Sequence, residues 1–179
     1  MLWEELNREV ARTLTGNPPS ADDRPFVYID SRQQRLFWVD IESENNRDYS
    51  ISTAENGMGN RMDSFKTPVG IHRIRQKIGH GEPSGMIFES RESTGCIADN
   101  LNNQDKDEIT SRILWLGGLE EGINLHGAYD TYSRYIYIHG TSDEKRIGEP
   151  VSAGCIRMRN ADVIELFDEV LVNDLVVIR

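Results

Sequence analysis

The sequence predicts a mainly β domain with a few helices, and three observations carry that expectation. From Phe26 onward the chain is a succession of short segments rich in β-branched and aromatic residues, separated by polar turns. Helical periodicity is confined to residues 2 to 15 and to the stretch after Asn160. A length of 179 residues suits one domain, and 37% hydrophobic with 28% charged residues describes a globular chain rather than a disordered one.

In chain order, Leu2, Leu6, Val10 and Leu14 recur every four residues and predict a helix over 2 to 15, ended by Gly16 and Asn17-Pro18-Pro19-Ser20. FVYID and RLFWVD, joined by the polar SRQQ, predict a β-hairpin, and YSIST continues the strand character. TPVGIHRIRQKIG sets Ile71, Arg73 and Arg75 against His72, Ile74 and Gln76, a strand pattern in which His72 is expected half-exposed. GMIFESR and RILWL are further strands. The polar stretch between them, CIADNLNNQDKDEITS, reads as a surface loop or a flap over 98 to 111 beside a site. RYIYIHG gives the strongest strand pattern, running straight into His139. Asp162 with Glu165 makes a capping-box pattern, with Asn160 a competing cap, ahead of the apolar stripe Val163, Leu166, Phe167 and Val170. VVIR closes the chain as a strand.

The formal net charge of -10 argues against nucleic acid or an anionic membrane as partner. The first residues, MLWEELNREVARTL, carry Glu4, Glu5 and Glu9 among the apolar positions, which is not the pattern of a secretory signal, and no stretch approaches a membrane span. A cytoplasmic location is expected, or a periplasmic one if a leader has been removed. Two cysteines form no disulfide framework and are read as free thiols. No set of His, Cys, Asp and Glu has metal-ligand spacing, so neither metal nor cofactor is expected.

The residues that could carry chemistry are His139 and Cys155. His139 ends a strand, and Cys155 follows 16 residues later behind Ser152-Ala153-Gly154, a loop long enough to bring thiol and imidazole together. A thiol needs a base to supply its thiolate, which is the Cys–His logic of acyl transfer. The small residues before Cys155 free the N–H groups of Gly154 and Cys155 for a developing oxyanion, and the following helix is expected to lower the thiol pKa. Cys155 is accordingly expected to alkylate faster than a free cysteine at neutral pH. A lone buried cysteine is more often a packing residue. Cys96, in its own Gly-Cys-Ile triplet, is read as structural or surface because ADNLNNQDKDE follows it and no strand-ending histidine precedes it. His126, in NLHGA, shares the His-Gly pair of His139 and is a candidate to line the cleft; His80 reads as loop.

The longer stretch is more specific than the pair. IYIHGT, then IGEPVSAGCIRMRNADVIELFDEV, resembles the signature of the L,D-transpeptidases, the YkuD-domain family; TPVGIHRI, the preceding hairpins and VVIR are similar to its order of elements. The resemblance covers about residues 25 to 179. It implies a YkuD-like, β-sandwich-like catalytic domain over 25–179, behind an N-terminal helix and linker over 1–24. It implies Cys155 as nucleophile, His139 as proton acceptor and the Gly140 carbonyl as the group that orients the imidazole. Arg157 and Ser152 would contact substrate, with an ion pair holding the loop as the alternative for Arg157. Many members have His where this chain has Ala153, which removes any contact made by that side chain. Asn173 replaces a frequent Gly in the last turn, and Asn tolerates positive φ.

The family cuts peptidoglycan stem peptides between an L-centre and a terminal D-residue through a thioester. With a cytoplasmic location, the resemblance implies an L,D-carboxypeptidase that releases D-alanine from tetrapeptide stems in muropeptide recycling. An L,D-transpeptidase that forms cross-links or exchanges D-amino acids is the alternative, and a noncatalytic peptidoglycan-binding domain is the alternative of another class. Carbapenem acylation of Cys155 is a further implication.

Overall fold

The computed structural model describes residues 25–40, 46–98 and 107–179. The helix expected over 2 to 15, and residues 99–106 of the expected flap, lie outside them. Ten strands and one α-helix are found among the described residues: β1 (Phe26–Asp30), β2 (Arg35–Val39), β3 (Arg47–Ser52), β4 (Gly70–Ile78), β5 (Met86–Glu89), β6 (Glu92–Ile97), β7 (Ile109–Gly118), β8 (Tyr137–Thr141), β9 (Ile156–Met158), α1 (Asn160–Glu169) and β10 (Leu175–Ile178).

The β1–β2 hairpin forms as its turn chemistry dictates. Asp30 Oδ1 accepts from the Arg32 and Gln33 N–H groups at 2.9 and 3.1 Å, and Gln34 takes a left-handed φ of 51°. The sheet order is β4-β10-β1-β2-β3-β9-β8-β7-β5-β6, and β4 pairs with β7 as well. That additional pairing joins the first strand of the order to the eighth, so eight strands close a circuit and β5–β6 extends from β7. Most neighbours are antiparallel; β1–β10 and β8–β9 are parallel.

The inner core combines Val27, Ile29, Leu36, Ile51, Ile74, Leu114, Leu116, Ile138, Ile156 and Met158 with Val163, Leu166, Phe167 and Val170 of α1. The helical stripe read from the sequence is thus the face that packs on β7 and β8. Each such side chain, fully removed from water, contributes about 1.5–3 kcal/mol before entropy is counted. Lys77 closes the other end of this helix by donating to the carbonyls of Phe167 and Val170 at 2.6 and 2.5 Å.

Four local expectations are corrected. Cys96 and Ile97 end β6 rather than open a loop. β8 begins at Tyr137, because Tyr135 has a φ of 56°. β9, only three residues long, has no counterpart among the expected strands. Neither Asp162 nor Asn160 caps α1: the N-cap is Arg159 without a side-chain bond, and Glu144 Oε1 accepts the Asn160 N–H at 2.7 Å.

His72 is also corrected. It alternates with Ile74 on the covered face of β4, so the ring is fully buried rather than half-exposed. Its nitrogens contact the Gly70 carbonyl at 3.0 Å and Thr131 Oγ1 at 3.1 Å. Burial, with a smaller contribution from Arg134, pushes the imidazole down to about 4 against the Gly70 carbonyl. The unfolded chain therefore binds the extra proton first. The stability from a neutral His72 is complete above the unfolded value and is lost as pH falls toward 4. The expected size is roughly 3 kcal/mol. Urea unfolding of wild type and His72→Gln at neutral and acidic pH measures it: wild type should lose more stability on acidification, and equal losses would remove the assignment.

Candidate active site

The β8–β9 pair builds the site. Ile138 lies opposite Ile156, His139 opposite Arg157 and Gly140 opposite Met158, in parallel. Side chains alternate across a strand. Ile138, Ile156 and Met158 therefore join the core beneath α1, while Tyr137, His139 and Arg157 face the other way. Cys155, immediately before β9, packs on that second face against the cluster of Met86, Phe88, Ile113, Trp115 and Tyr137. The sequence alternation YIHG and CIRM thus brings thiol, imidazole and guanidinium to one side of two adjacent strands.

His139 is 2% exposed, and its Nδ1 lies 2.7 Å from the Gly140 carbonyl. A carbonyl only accepts, so Nδ1 carries the proton and Nε2 of the neutral ring is left as a base. Burial holds the imidazole below its ordinary pKa, opposed by the Gly140 carbonyl and Asp107 and reinforced by Arg157. Gly140 is required by close approach: a Cβ there would stand 2.6 Å from the Thr110 carbonyl and 2.8 Å from Asn160 Oδ1. Asn160 backs this segment. Its Oδ1 accepts from Thr110 Oγ1 and Ser111 Oγ at 2.6 and 2.5 Å, and its Nδ2 donates to the Thr141 carbonyl and Glu144 Oε1 at 3.1 and 2.7 Å. A register shift in β7 between Thr110 and Ile113 accompanies the two hydroxyls on Asn160.

Cys155 is half-buried. Its Sγ accepts from the Tyr137 N–H at 3.4 Å and lies 3.5 Å from the Tyr135 carbonyl. Gly154, at a φ of 133°, makes the turn into β9. Ser152 clasps that turn: its Oγ accepts from the Gly154 N–H at 3.2 Å and donates to the Cys155 carbonyl at 2.6 Å. Thr67 Oγ1 donates to the Gly154 carbonyl at 2.9 Å, and Arg134 Nη2 to the Lys66 carbonyl at 2.5 Å. Of the two oxyanion donors expected from sequence, the Gly154 N–H is thus engaged in the resting protein. The hydroxyl proton of Ser152, expected at substrate, lies on the Cys155 carbonyl.

Burial pushes the Cys155 thiol up to about 11; Asp107 adds to the rise, and the Tyr137 N–H, Arg157 and Arg134 oppose it. β9 separates Cys155 from α1, and burial outweighs the nearby cations. Burial thus favours the uncharged form of both the thiol and the imidazole.

Arg157 is 4% exposed, with its Nη2 paired to Asp107 Oδ2 at 2.5 Å. Thr141 Oγ1 donates to Asp107 Oδ1 at 3.0 Å. Arg157 Nε and Nη1 are buried and have no hydrogen-bond partner among the described residues. His126 occupies an exposed turn at a φ of 66°, where its N–H donates to Asp130 Oδ2 at 2.8 Å; that bond does not lead to Cys155 or His139. Cys96 is exposed on β6, and the exposed His80 ring stacks on Phe167. Sequence reasoning gave no role at the site to Asp107, Asn160, Thr67 or Arg134, whose contacts there appear only in the folded chain.

The chain belongs to the YkuD family, the L,D-transpeptidase catalytic domain, whose description matches residues 24–178. It is 45% identical over 165 residues to YqjB of Bacillus subtilis (strain 168), assigned by name to the L,D-transpeptidases; the match covers 92% of this chain and 76% of that protein. L,D-transpeptidase 3 from Mycobacterium tuberculosis, solved in complex with a faropenem-derived adduct, shares the fold at a TM-score of 0.52 and 15% identity, over 86% of this chain and 59% of that one. The L,D-transpeptidase LdtMt1 in complex with imipenem gives 0.50 and 18%, over 86% and 58%. The chain thus spans less than two thirds of these solved chains.

A thiol raised by burial should alkylate slowly near neutral pH, more slowly than a free cysteine, which reverses the expectation from sequence. In a Cys96→Ser background, the iodoacetamide rate at Cys155 should climb about tenfold per pH unit from about pH 7 to about pH 9. A rate already level by neutral pH would show a thiolate–imidazolium pair instead.

Proposed function

We propose that this chain is a cysteine-dependent L,D-acyl transferase acting on peptidoglycan stem peptides, with transpeptidation as its principal reaction. The observation that carries this reading is the 2.7 Å contact of His139 Nδ1 with the Gly140 carbonyl, which assigns the ring proton to Nδ1 and leaves Nε2 as a base, on the same face of β8–β9 as Cys155. Cys155 Sγ attacks the carbonyl of the L-centre while Nε2 takes its proton, so no standing thiolate is needed and a raised thiol pKa is tolerated. The Cys155 N–H, joined by the Gly154 N–H as it leaves Ser152, stabilises the oxyanion. His139 then gives its proton to the leaving D-residue nitrogen, and the acyl group remains as a thioester on Cys155. An acceptor amine resolves the thioester into a new peptide bond, with Nε2 taking a proton from the amine and returning it to the thiol.

Membership of the L,D-transpeptidase family and the relation to YqjB support transfer to an amine over the hydrolysis expected from sequence. Hydrolysis by water, releasing D-alanine as an L,D-carboxypeptidase would, is the competing fate of the same thioester. The β-lactam complexes of the solved relatives support a carbapenem as an acylating partner at Cys155.

Mass spectrometry of a stem tetrapeptide with and without a labelled D-amino acid separates these fates. Exchange of label into the tetrapeptide, with little tripeptide, is expected. Tripeptide accumulating in both cases would make the chain a carboxypeptidase. Cys155→Ala and His139→Ala should each lower turnover by at least about a hundredfold, and a turnover untouched by either would exclude the mechanism. Imipenem should add its mass to wild type and leave Cys155→Ala unmodified.

A further inference from the structure

The Thr67-Pro68-Val69-Gly70 run belongs to the resemblance read from the sequence, yet no step of the acyl-transfer reading uses it. Thr67 is fully buried, and its Oγ1 accepts the Ala54 N–H at 2.9 Å while donating to the Gly154 carbonyl at 2.9 Å. The second bond bears on the chemistry because of what shares the peptide unit. The Gly154 carbonyl and the Cys155 N–H belong to one planar amide, and in a trans peptide they point opposite ways. A carbonyl tied to Thr67 therefore fixes the direction of the Cys155 N–H, away from Thr67. Ser152 does not do this: its Oγ holds the Gly154 N–H and the Cys155 carbonyl, which belong to the peptide units on either side. Gly154, at a φ of 133°, has no Cβ to resist rotation of the unit. A carbonyl that accepts a hydrogen bond also polarises its amide and strengthens the N–H as a donor.

Thr67 is itself held. Pro68 restricts it to extended backbone, and its branched Cβ limits the rotamers of the hydroxyl. Its N–H donates to the Gly57 carbonyl at 3.1 Å, and its carbonyl accepts from the Gly59 N–H at 2.8 Å. The Lys66 carbonyl, on the peptide that enters Thr67, takes Arg134 Nη2 at 2.5 Å, and Arg134 Nη1 donates to the Gly59 carbonyl at 3.1 Å. Among the described residues, the hydrogen bonds of this guanidinium go to these two carbonyls and to Ser64 Oγ. One planar fork thus spans both ends of the 59–66 segment, which a single ammonium does not. Asp63 and Phe65 within that segment take left-handed φ values of 57° and 54°, so the segment does not hold this shape unaided.

We propose that Thr67 is a positioning residue for the oxyanion donor: through the Gly154 carbonyl it aims the Cys155 N–H at the developing oxyanion, and Arg134 acts through the Lys66 carbonyl to keep Thr67 in place. The inference rests on the acyl-transfer reading and adds to it the groups that set the donor's direction before substrate arrives.

Two reactions of Cys155 separate this role from general damage to the site. Acylation passes through an oxyanion; alkylation by iodoacetamide, in which sulfur displaces iodide, does not. In a Cys96→Ser parent, Thr67→Val should lower acylation by imipenem, read by intact mass, roughly tenfold to a hundredfold. Its alkylation rate should stay within about twofold of the parent. Turnover of a stem tetrapeptide should fall in kcat with KM little changed, because the oxyanion forms only on the way to the thioester. Thr67→Ser keeps the hydroxyl and should restore most of the rate. Arg134→Lys keeps the charge but not the fork, and should slow acylation severalfold with alkylation again preserved. Equal acylation in Thr67→Val and the parent, a parallel loss of acylation and alkylation, or no recovery in Thr67→Ser would each overturn the proposal. Should Thr67→Val not fold, Arg134→Lys decides by the same two rates. A parent that neither turns over tetrapeptide nor takes up imipenem rejects the acyl-transfer reading and this inference with it; a parent that does either, matched by Thr67→Val, rejects the inference alone.

Discussion

The parallel pairing of β8 with β9 is the constraint on which the site depends. Parallel neighbours cannot be joined by a tight turn, so the chain between Thr141 and Ile156 must travel round and return. It does so along β3: the Gly148 N–H donates to the Ile51 carbonyl, the Ser152 N–H to Thr53, and the Glu55 N–H returns to the Ser152 carbonyl, each within 3.0 Å. Each bond is worth only about 0.5–1.5 kcal/mol net, but together they fix where the chain re-enters the sheet. That point sets the register, and the register sets His139 beside Arg157 and Cys155 one step before it. A slip of one residue would turn Cys155 and Arg157 into the core and Ile156 out of it. Burial of Ile138, Ile156 and Met158 against α1 opposes such a slip. The hydrophobic core and the chemistry are thus two faces of one alternation.

The electrostatic consequence is a site poised neutral. Burial moves the thiol up and the imidazole down, so each group is held in its uncharged form, although Arg134 and Arg157 both favour a thiolate. The guanidiniums pay for this position with depressed pKa values of their own, lowered by the same burial. Both are engaged within the resting site, Arg134 on the Lys66 carbonyl and Arg157 on Asp107, rather than aimed at sulfur. In the acyl-transfer reading proposed above, proton transfer then accompanies attack, which confines nucleophilicity to the moment when a carbonyl is in place.

What could be read from the sequence follows the range of each interaction. The β1–β2 hairpin, β4, β8 and the stripe of α1 carry their own period and turn residues, and the Cys–His relation lies within one loop and its flanking strands. β9 has no period to read, because three residues are too few for alternation to register. His72 looked half-exposed because the alternation of β4 does not say which of its two faces the rest of the fold covers. Asn160 carried a local cap signal, and tertiary structure overrode it: the amide is worth more satisfying the hydroxyls of Thr110 and Ser111 than capping a helix whose first N–H is already met by Glu144. Asp107 meets Arg157 across 50 residues of sequence, with no spacing to betray it.

Tyr135 shows how the resting site restrains its own nucleophile. A bulky residue at a φ of 56° is strained, by an amount of the order of 1 kcal/mol or more. The strain is held by its ring, which stacks on Trp115 at 5.5 Å while the Arg91 guanidinium lies 5.1 Å from the centroids of both. With the backbone so turned, the Tyr135 carbonyl meets Cys155 Sγ at 3.5 Å. A thiol is a weak donor, and a bond of that length costs little to break. The thiol proton thus lies toward a carbonyl that holds it only weakly. The turned backbone of Tyr135 and the aromatic stack that sustains it thus set the position of the Cys155 thiol.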